Sequence, residues 1–478
     1  MIRFIYGVAG SGKSSAVRDS IIADISSGRR VWLIVPEQQT YAVERQYTEL
    51  LPPSSQLSFE VVNFTRLANI ARRRFGGLTY NYIDGGTKAL LMWRTLRELA
   101  PLLEEYGETA QNDSRAVALS DMLLRTVGEL KAAGIEPLTL ERTAEKLDHS
   151  GSLYRRMRDI ALIWSTYSNF LSNEFDDADD DLTHLAGLLD KHNLFADHSV
   201  YIDSFTSYTG QEYRIIDYIM RQTPALTVTV ECEAPGSSRI HFASTARAEA
   251  RLRRMAEARG GYSVTCLGRS LRAGAPELEL IERYLWDTSN LPSPDELSEC
   301  GRAIETACAP TPYAEAQWVA SRICEAIRGG MRYRDIAVIM RDATRWQGIV
   351  DAVFDKYRIP YFISEHTELD SQPLFKLITS ALSIKNRGWR QNDVISLIKT
   401  GLCGFSDREC DMFEDYCTTW NITGQRFLDE NAQMLLILDL LYIDHCFFSL
   451  QRQATADVCD GNIIALRQFS SQRRFSRE

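Results

Sequence analysis

The sequence predicts an α/β fold of the P-loop kind that carries an all-helical insertion. Three observations lead there. A short apolar run, Ile2, Phe4, Ile5 and Tyr6, is followed by a glycine-rich loop and then by helical spacing from Ser15 to Ile22. Apolar runs and helical stretches then alternate, as parallel strands joined by crossover helices require. From Tyr82 to about Asp190 the strand pattern stops and long amphipathic helical runs take over, after which strands resume.

The loop after the first strand is the most specific feature. Gly7, four further residues, then Gly12, Lys13 and Ser14 satisfy the Walker A pattern G-x-x-x-x-G-K-[ST], with a strand before it and a helix after it. Such glycines let backbone N–H groups curl round a phosphate, and the following helix points its positive end at the same place. Gly7, Val8, Ala9, Gly10, Ser11, Gly12, Lys13 and Ser14 are therefore expected to bind ATP. Lys13 would reach the outer phosphates and Ser14 would offer its hydroxyl to Mg²⁺. The plainer alternative is a glycine turn without a ligand.

Bulk composition narrows the setting. With 478 residues, 45% of them hydrophobic, the chain is long enough for two to four domains with sizeable cores. The ten cysteines are scattered, no secretory leader precedes the glycine loop, and no apolar run approaches a membrane span. A cytoplasmic location is expected. A net charge of -10 argues against a generally basic coat, so any DNA contact must come from a local patch.

Further elements follow in order. Residues 31–35 form a second strand that ends on Pro36, Glu37, Gln38, Gln39 and Thr40, polar residues at the carboxyl edge where an open α/β sheet binds its ligand. A third strand, 57–62, runs into Asn63, Phe64 and Arg66 and then a helix whose Arg72, Arg73 and Arg74 read as a solvated face. The acidic run 174–181 reads as a solvated loop, because it lacks the spacing and glycine of a calcium loop. Residues 199–205 form a strand that reaches Asp203, the Walker B position for a carboxylate that helps hold Mg²⁺. Ser204 follows it, and Glu212, in the next helix, is poorly spaced to replace a catalytic carboxylate. Another strand is expected at 223–230 and a charged helix at 243–260. A second α/β pattern then opens, with strands at 303–308, 336–340 and 359–363 and helices at 312–330 and 346–357. Beyond Pro373 the pattern is helical. Cys403, Cys410 and Cys417 recur every seventh residue, without a fourth ligand or the shorter spacing of a zinc site, and read as free thiols.

Taken together, the Walker A loop, the stretch 35–41 with Gln38 and Thr40, and the stretch 62–68 with Phe64 and Arg66 resemble the helicase-like N-terminal half of the AddB family, which belongs to the bacterial AddAB helicase–nucleases. The resemblance implies RecA-like modules of the superfamily 1 helicase type, with helical insertions. In that scheme residues 1–81 begin the first RecA-like domain, 82–192 are its helical insertion and 193–290 complete it with the Walker B-like strand. Residues 291–374 begin a second RecA-like domain, and 375–478 are a helical segment. The resemblance makes Gln38, Thr40, Phe64 and Arg66 candidate contacts to single-stranded DNA, with Phe64 stacking a base and Arg66 holding a phosphate or base edge. Phe64 in the core remains the alternative.

Two departures stand out. The tryptophan that family members carry near Asn69 is absent, and Ser204 replaces the glutamate that orients water in active helicases. ATP binding is expected, and turnover near background. The resemblance further implies an AddA-like partner chain, DNA as ligand and a part in processing double-strand breaks for recombination. The family continues well beyond residue 478, so the chain is expected to be a truncated form. The nuclease residues and the cysteines of the 4Fe-4S cluster belong to that later region and are not expected here. A P-loop kinase of a small metabolite and an ATP-binding scaffold without a DNA role are the alternatives.

Overall fold

The computed structural model describes residues 1–77, 81–172, 175–268, 270–271, 274–286, 291–301, 303–342, 345–363, 369 and 372–428. The chain divides into two compact units, residues 1–306 and 307–478.

The first unit is built on a parallel sheet. Its strands are β1 (Ile2–Tyr6), β2 (Arg30–Ile34), β3 (Phe59–Val62), β4 (His198–Ile202), β5 (Ala225–Val230) and β6 (Ser263–Cys266), in the spatial order β3-β2-β4-β5-β1-β6. Crossover helices α1 (Lys13–Ser26), α2 (Glu37–Leu50) and α3 (Phe64–Phe75) join the early strands. Because side chains alternate along a strand, Phe4 and Tyr6 face one layer and Ile5 the other. Val17 and Ile21 of α1 and Tyr47 of α2 cover the Ile5 side. Leu67 of α3 covers the Phe4 side, together with Leu185, Ile216 and Leu252 from later helices. Strands covered on both faces read as continuous apolar runs, which is why β1, β2 and β4 are legible in the sequence. β6 is not anticipated there. It is an edge strand, half exposed along its length, and carries no apolar run to mark it.

Between β3 and β4 the chain leaves the sheet for α4 (Gly85–Leu99), α5 (Gly107–Gln111), α6 (Asp113–Ala132), α7 (Pro137–Ala144), α8 (Ser152–Ser172) and α9 (Asp181–Lys191). Met92, Leu96, Leu123, Ile163, Trp164 and Tyr167 give this layer a core of its own. It meets the sheet domain where α10 (Gly210–Gln222) begins, and Gly210 is required there. A Cβ at Gly210 would lie 1.9 Å from the Ala133 carbonyl oxygen.

The acidic run is not a solvated loop. Glu174 lies outside the described residues, but Asp177 and Asp181 are buried. Lys131 of α6 donates to Asp177 and Asp180, each at 2.7 Å, and Lys88 of α4 pairs with Asp177 at 2.6 Å and Asp179 at 2.9 Å. Burial alone would raise the Asp177 carboxyl, but hydrogen bonds from Lys131 and Lys88 outweigh it and hold the pKa at about 2. Arg72 likewise departs from the solvated face expected of it. It is 4% exposed, bonds Asp181 at 2.7 Å and Tyr82, and lies 3.0 Å from His184 Nδ1, whereas Arg73 and Arg74 are exposed. The cations that neutralise the run come from helices far away in sequence, so neighbouring residues give no sign of them.

After β5 come α11 (Ala243–Glu257), β6, α12 (Pro276–Tyr284) and α13 (Pro294–Ser298). In the second unit, α14 (Pro312–Arg328) and α15 (Val350–Tyr357) pack through Ala320, Ile323, Val353 and Phe354. A separate core joins α16 (Pro373–Arg387), α17 (Gln391–Ile398) and α18 (Asp407–Thr419). Cys410 and Cys417 are buried within it and Cys403 is half-buried, all as free thiols, and burial pushes the Cys417 thiol up to about 11. The strands expected at 303–308, 336–340 and 359–363 do not form among the described residues. A parallel strand needs a neighbour in register to pair its backbone groups, and none is present for these segments among the described residues. Ile339 and Phe362 accordingly stand 94% and 90% exposed.

Candidate functional site

The glycine loop sits at the carboxyl end of β1, inside the sheet. Gly7 N–H donates to Val230 O at 3.2 Å, tying the loop's first residue to β5. Gly10 and Gly12 adopt φ of 77° and 89°, a region in which a Cβ would be strained. Gly7 is favoured for another reason: a Cβ there would stand 2.1 Å from Ser11 Oγ and would force that side chain to move. Ser11 Oγ is itself buried and makes no hydrogen bond. Gly12 occupies the N-cap of α1 and no side chain caps the helix, so its first amides remain available to an anion. Lys13 arches back across the loop, its Nζ donating to Gly7 O at 2.7 Å and Val8 O at 2.8 Å. Ser14 is exposed, as is Ala9, while Val8 is half-buried. An uncapped helix start, an orphaned hydroxyl and a backbone curl whose positive φ at Gly10 and Gly12 disfavours a Cβ together fit a phosphate chain.

Asp203 follows β4 and is 7% exposed. Its N–H donates to Ile34 O at 3.0 Å, extending the β2–β4 ladder by one residue. One oxygen, Oδ1, accepts from Thr229 Oγ1 at 2.6 Å, and the same Thr229 Oγ1 accepts from Ser204 N–H at 3.3 Å. Thr229 lies on β5, the strand between the glycine-loop strand and the Asp203 strand, a partner that spacing along the chain does not disclose. A carboxylate at a strand tip and the Ser14 hydroxyl are oxygen donors of the kind a hard cation takes. Ser204 is exposed, with φ 68°. Glu212 is not a water-orienting carboxylate: it caps α10, accepting from Thr209 N–H at 2.7 Å while its own N–H donates to Thr209 Oγ1 at 3.2 Å.

The strand-end rim differs in part from expectation. The sequence reads Gln38, Thr40, Phe64 and Arg66 as loop residues, but they lie in the first turns of α2 and α3. Gln38 is exposed, and half-buried Thr40 donates to Pro36 O at 3.3 Å. Phe64, read as a base-stacking candidate with the core as its alternative, occupies the core. Its ring is 5% exposed and packs edge-on against Phe205 at 5.6 Å, because the first residue of α3 points into the layer between helix and sheet. The half-buried aromatics at this rim are Phe205 and Tyr208, stacked at 5.1 Å in the segment after Asp203. Arg66 N–H donates to the capping Asn63 side chain at 2.6 Å, while its guanidinium pairs with Glu60 at 3.1 Å and Glu44 at 3.6 Å. It borders a cleft of about 340 Å³ that Glu37, Asn63, Asn69 and Arg73 also line.

The parallel sheet and the glycine loop define a P-loop α/β protein. The family model described as ADDB, N-terminal, matches residues 4–282, and the chain belongs to that family. It is 29% identical over 436 residues to the B chain of the ATP-dependent helicase/deoxyribonuclease of Clostridium novyi, a match that covers 89% of this chain and 38% of the relative. The protein of the same description from Pelotomaculum thermopropionicum is 30% identical over 444 residues, covering 90% and 38%. That from Acetivibrio thermocellus is 29% identical over 434 residues, covering 88% and 37%. The chain therefore spans about 38% of the length of the curated relatives it matches. Among the described residues no helix is long and apolar enough to cross a membrane.

Proposed function

We propose that this chain is an ATP-binding, helicase-like part of a helicase–nuclease complex that works with an AddA-like partner on DNA ends in double-strand-break repair. The observation that carries the reading is the loop from Gly7 to Ser14, whose positive-φ glycines and uncapped helix start suit a phosphate chain. Backbone amides of the loop and of the first turn of α1 would bind the phosphates, and Lys13 would exchange two neutral carbonyls for phosphate oxygens. Ser14 and Asp203 would hold Mg²⁺, which supplies charge neutralisation at the outer phosphates when bound. Thr229 orients the Asp203 carboxylate. Ser204 follows Asp203 where a water-orienting glutamate would stand, and Glu212 is engaged as a cap, so binding with turnover near background is the expected behaviour.

The rim residues Gln38, Thr40 and Arg66 extend this reading to single-stranded DNA, with Phe205 and Tyr208 taking the stacking role assigned above to Phe64. Arg66 is already paired with two carboxylates, but exposed pairs contribute only about 0 to 1 kcal/mol, so a phosphate can displace them.

Equilibrium titration with a fluorescent ATP analogue tests the nucleotide site. Lys13→Ala should weaken binding by about 1.5 to 3 kcal/mol, the value of hydrogen bonds to a charged group, and unchanged affinity would remove the assignment. For the rim, Arg66→Ala should lower the salt slope of single-strand binding by about 0.7.

A further inference from the structure

Apart from the nucleotide site, α10 and α11 border an open groove of about 540 Å³, lined by Asp217, Arg251, Arg254, Met255, Ala258 and Arg259. Residues three and four apart share a helix face, so Arg247, Arg251 and Arg254 form a row along α11, and all three are exposed. Arg214 and Arg221 are exposed on neighbouring α10. Arg251 lies with its guanidinium carbon 3.9 Å from the centre of the Tyr213 ring, a contact that sets its direction. The carboxylate of the groove, Asp217, is already shared. It accepts from Arg259 Nη2 at 2.9 and 3.2 Å and also pairs with Arg221. Other carboxylates on the two helices are engaged: Glu212 in its cap, Glu249 with Arg253 at 3.1 Å, and Glu257 with Arg253 at 3.6 Å. In a chain of net charge -10, this is a local excess of positive charge.

We propose that this groove is a second nucleic-acid surface, one that grips the phosphodiester backbone and is separate from the strand-end rim. The chain direction sets most of the groove apart. α10 and α11 lead from the carboxyl edge of the sheet back to its amino edge, so Asp217, Arg221, Arg254 and Arg259 lie toward the amino edge, whereas Gln38 and Arg66 lie at the carboxyl edge. Arg251, over the ring of Tyr213, which packs on Tyr208 at 5.4 Å, is the groove residue nearest the rim. A protein partner would be anchored by apolar or aromatic side chains at the centre of its interface. Among the described residues, no large apolar side chain of α10 or α11 is exposed. The cations are all arginines, whose planar fork matches two phosphate oxygens. Arg247 to Arg254 spans roughly 10 Å of helix, enough to follow a backbone past more than one phosphate.

Fluorescence anisotropy of the whole chain with a labelled oligothymidylate and a labelled duplex, across a salt series, tests this. Arg251→Gln, Arg254→Gln and Arg259→Gln combined should lower the salt slope by about 0.7 per lost contact on the single strand and about 0.9 on the duplex. Nucleotide binding and the circular dichroism spectrum should stay as in the parent. Asp217→Asn should act in the opposite sense and tighten binding, because it removes the competing carboxylate; this arm decides the matter if the triple variant fails to fold. Parent-like affinity and slope in the triple variant would overturn the proposal, as would weaker binding in Asp217→Asn or no binding of either probe by the parent chain. Binding lost only on changing Arg66 would keep the rim and reject the groove. Capture of an acidic protein with nucleic-acid binding unchanged would also reject it.

Discussion

Lys13 and Lys131 carry the same ammonium group and sit in opposite situations. Lys13 is half-buried and donates to two neutral carbonyls, Gly7 O and Val8 O. Lys131 is 7% exposed and donates to two carboxylates, on Asp177 and Asp180. An ammonium gains by leaving neutral carbonyls for a phosphate, since the oppositely charged oxygens add Coulomb attraction to the hydrogen bonds. It cannot leave a buried carboxylate without exposing that charge to a low-dielectric interior. The two carbonyl bonds described for Lys13 can be given up to a phosphate, whereas Lys131 is committed to pinning the acidic run against α6. The partner's charge and burial, more than the lysine itself, decide the role.

That contrast can be broken by measuring stability in urea. Lys131→Met should cost about 3 to 5 kcal/mol, because it leaves Asp177 buried with one of its two cations gone. A loss below about 1 kcal/mol would show that the cluster opens to water. Phe64 belongs on the same side of the divide despite its place at the rim. Phe64→Ala should cost about 3 kcal/mol as a core truncation, and a stable variant that merely bound DNA less well would return Phe64 to the stacking role.

Acid sharpens the comparison further. The folded pKa of Asp177, about 2, lies below the unfolded value of 3.8, so the native state binds fewer protons. Its contribution is fully present above about pH 4 and is lost as pH falls toward the folded value. Asp177→Asn should flatten that part of the stability curve, and an unchanged acid limb would place the titration elsewhere. At the small end, Lys13→Ala should leave stability within about 0.5 kcal/mol even as nucleotide binding falls. A large loss of stability would mean that Lys13 is a structural brace for its own loop.

The parts of this molecule that depend on contiguous residues are legible in the chain. The glycine loop, the apolar strands β1, β2 and β4, and the aspartate at the end of β4 each carry their chemistry within a few neighbouring positions, because strand burial, backbone curl and helix start are local properties. What depends on distant residues is not. Phe64 becomes core because Phe205 arrives beside it from after β4, and Asp203 acquires Thr229 from β5. The acidic run closes on Lys88, Lys131 and Arg72, which lie on α4, α6 and α3. Three apolar segments of the later chain read as strands yet have no neighbour in register among the described residues. Charge and hydrophobicity in a chain state what a residue needs; burial and pairing across the fold settle which partner meets that need.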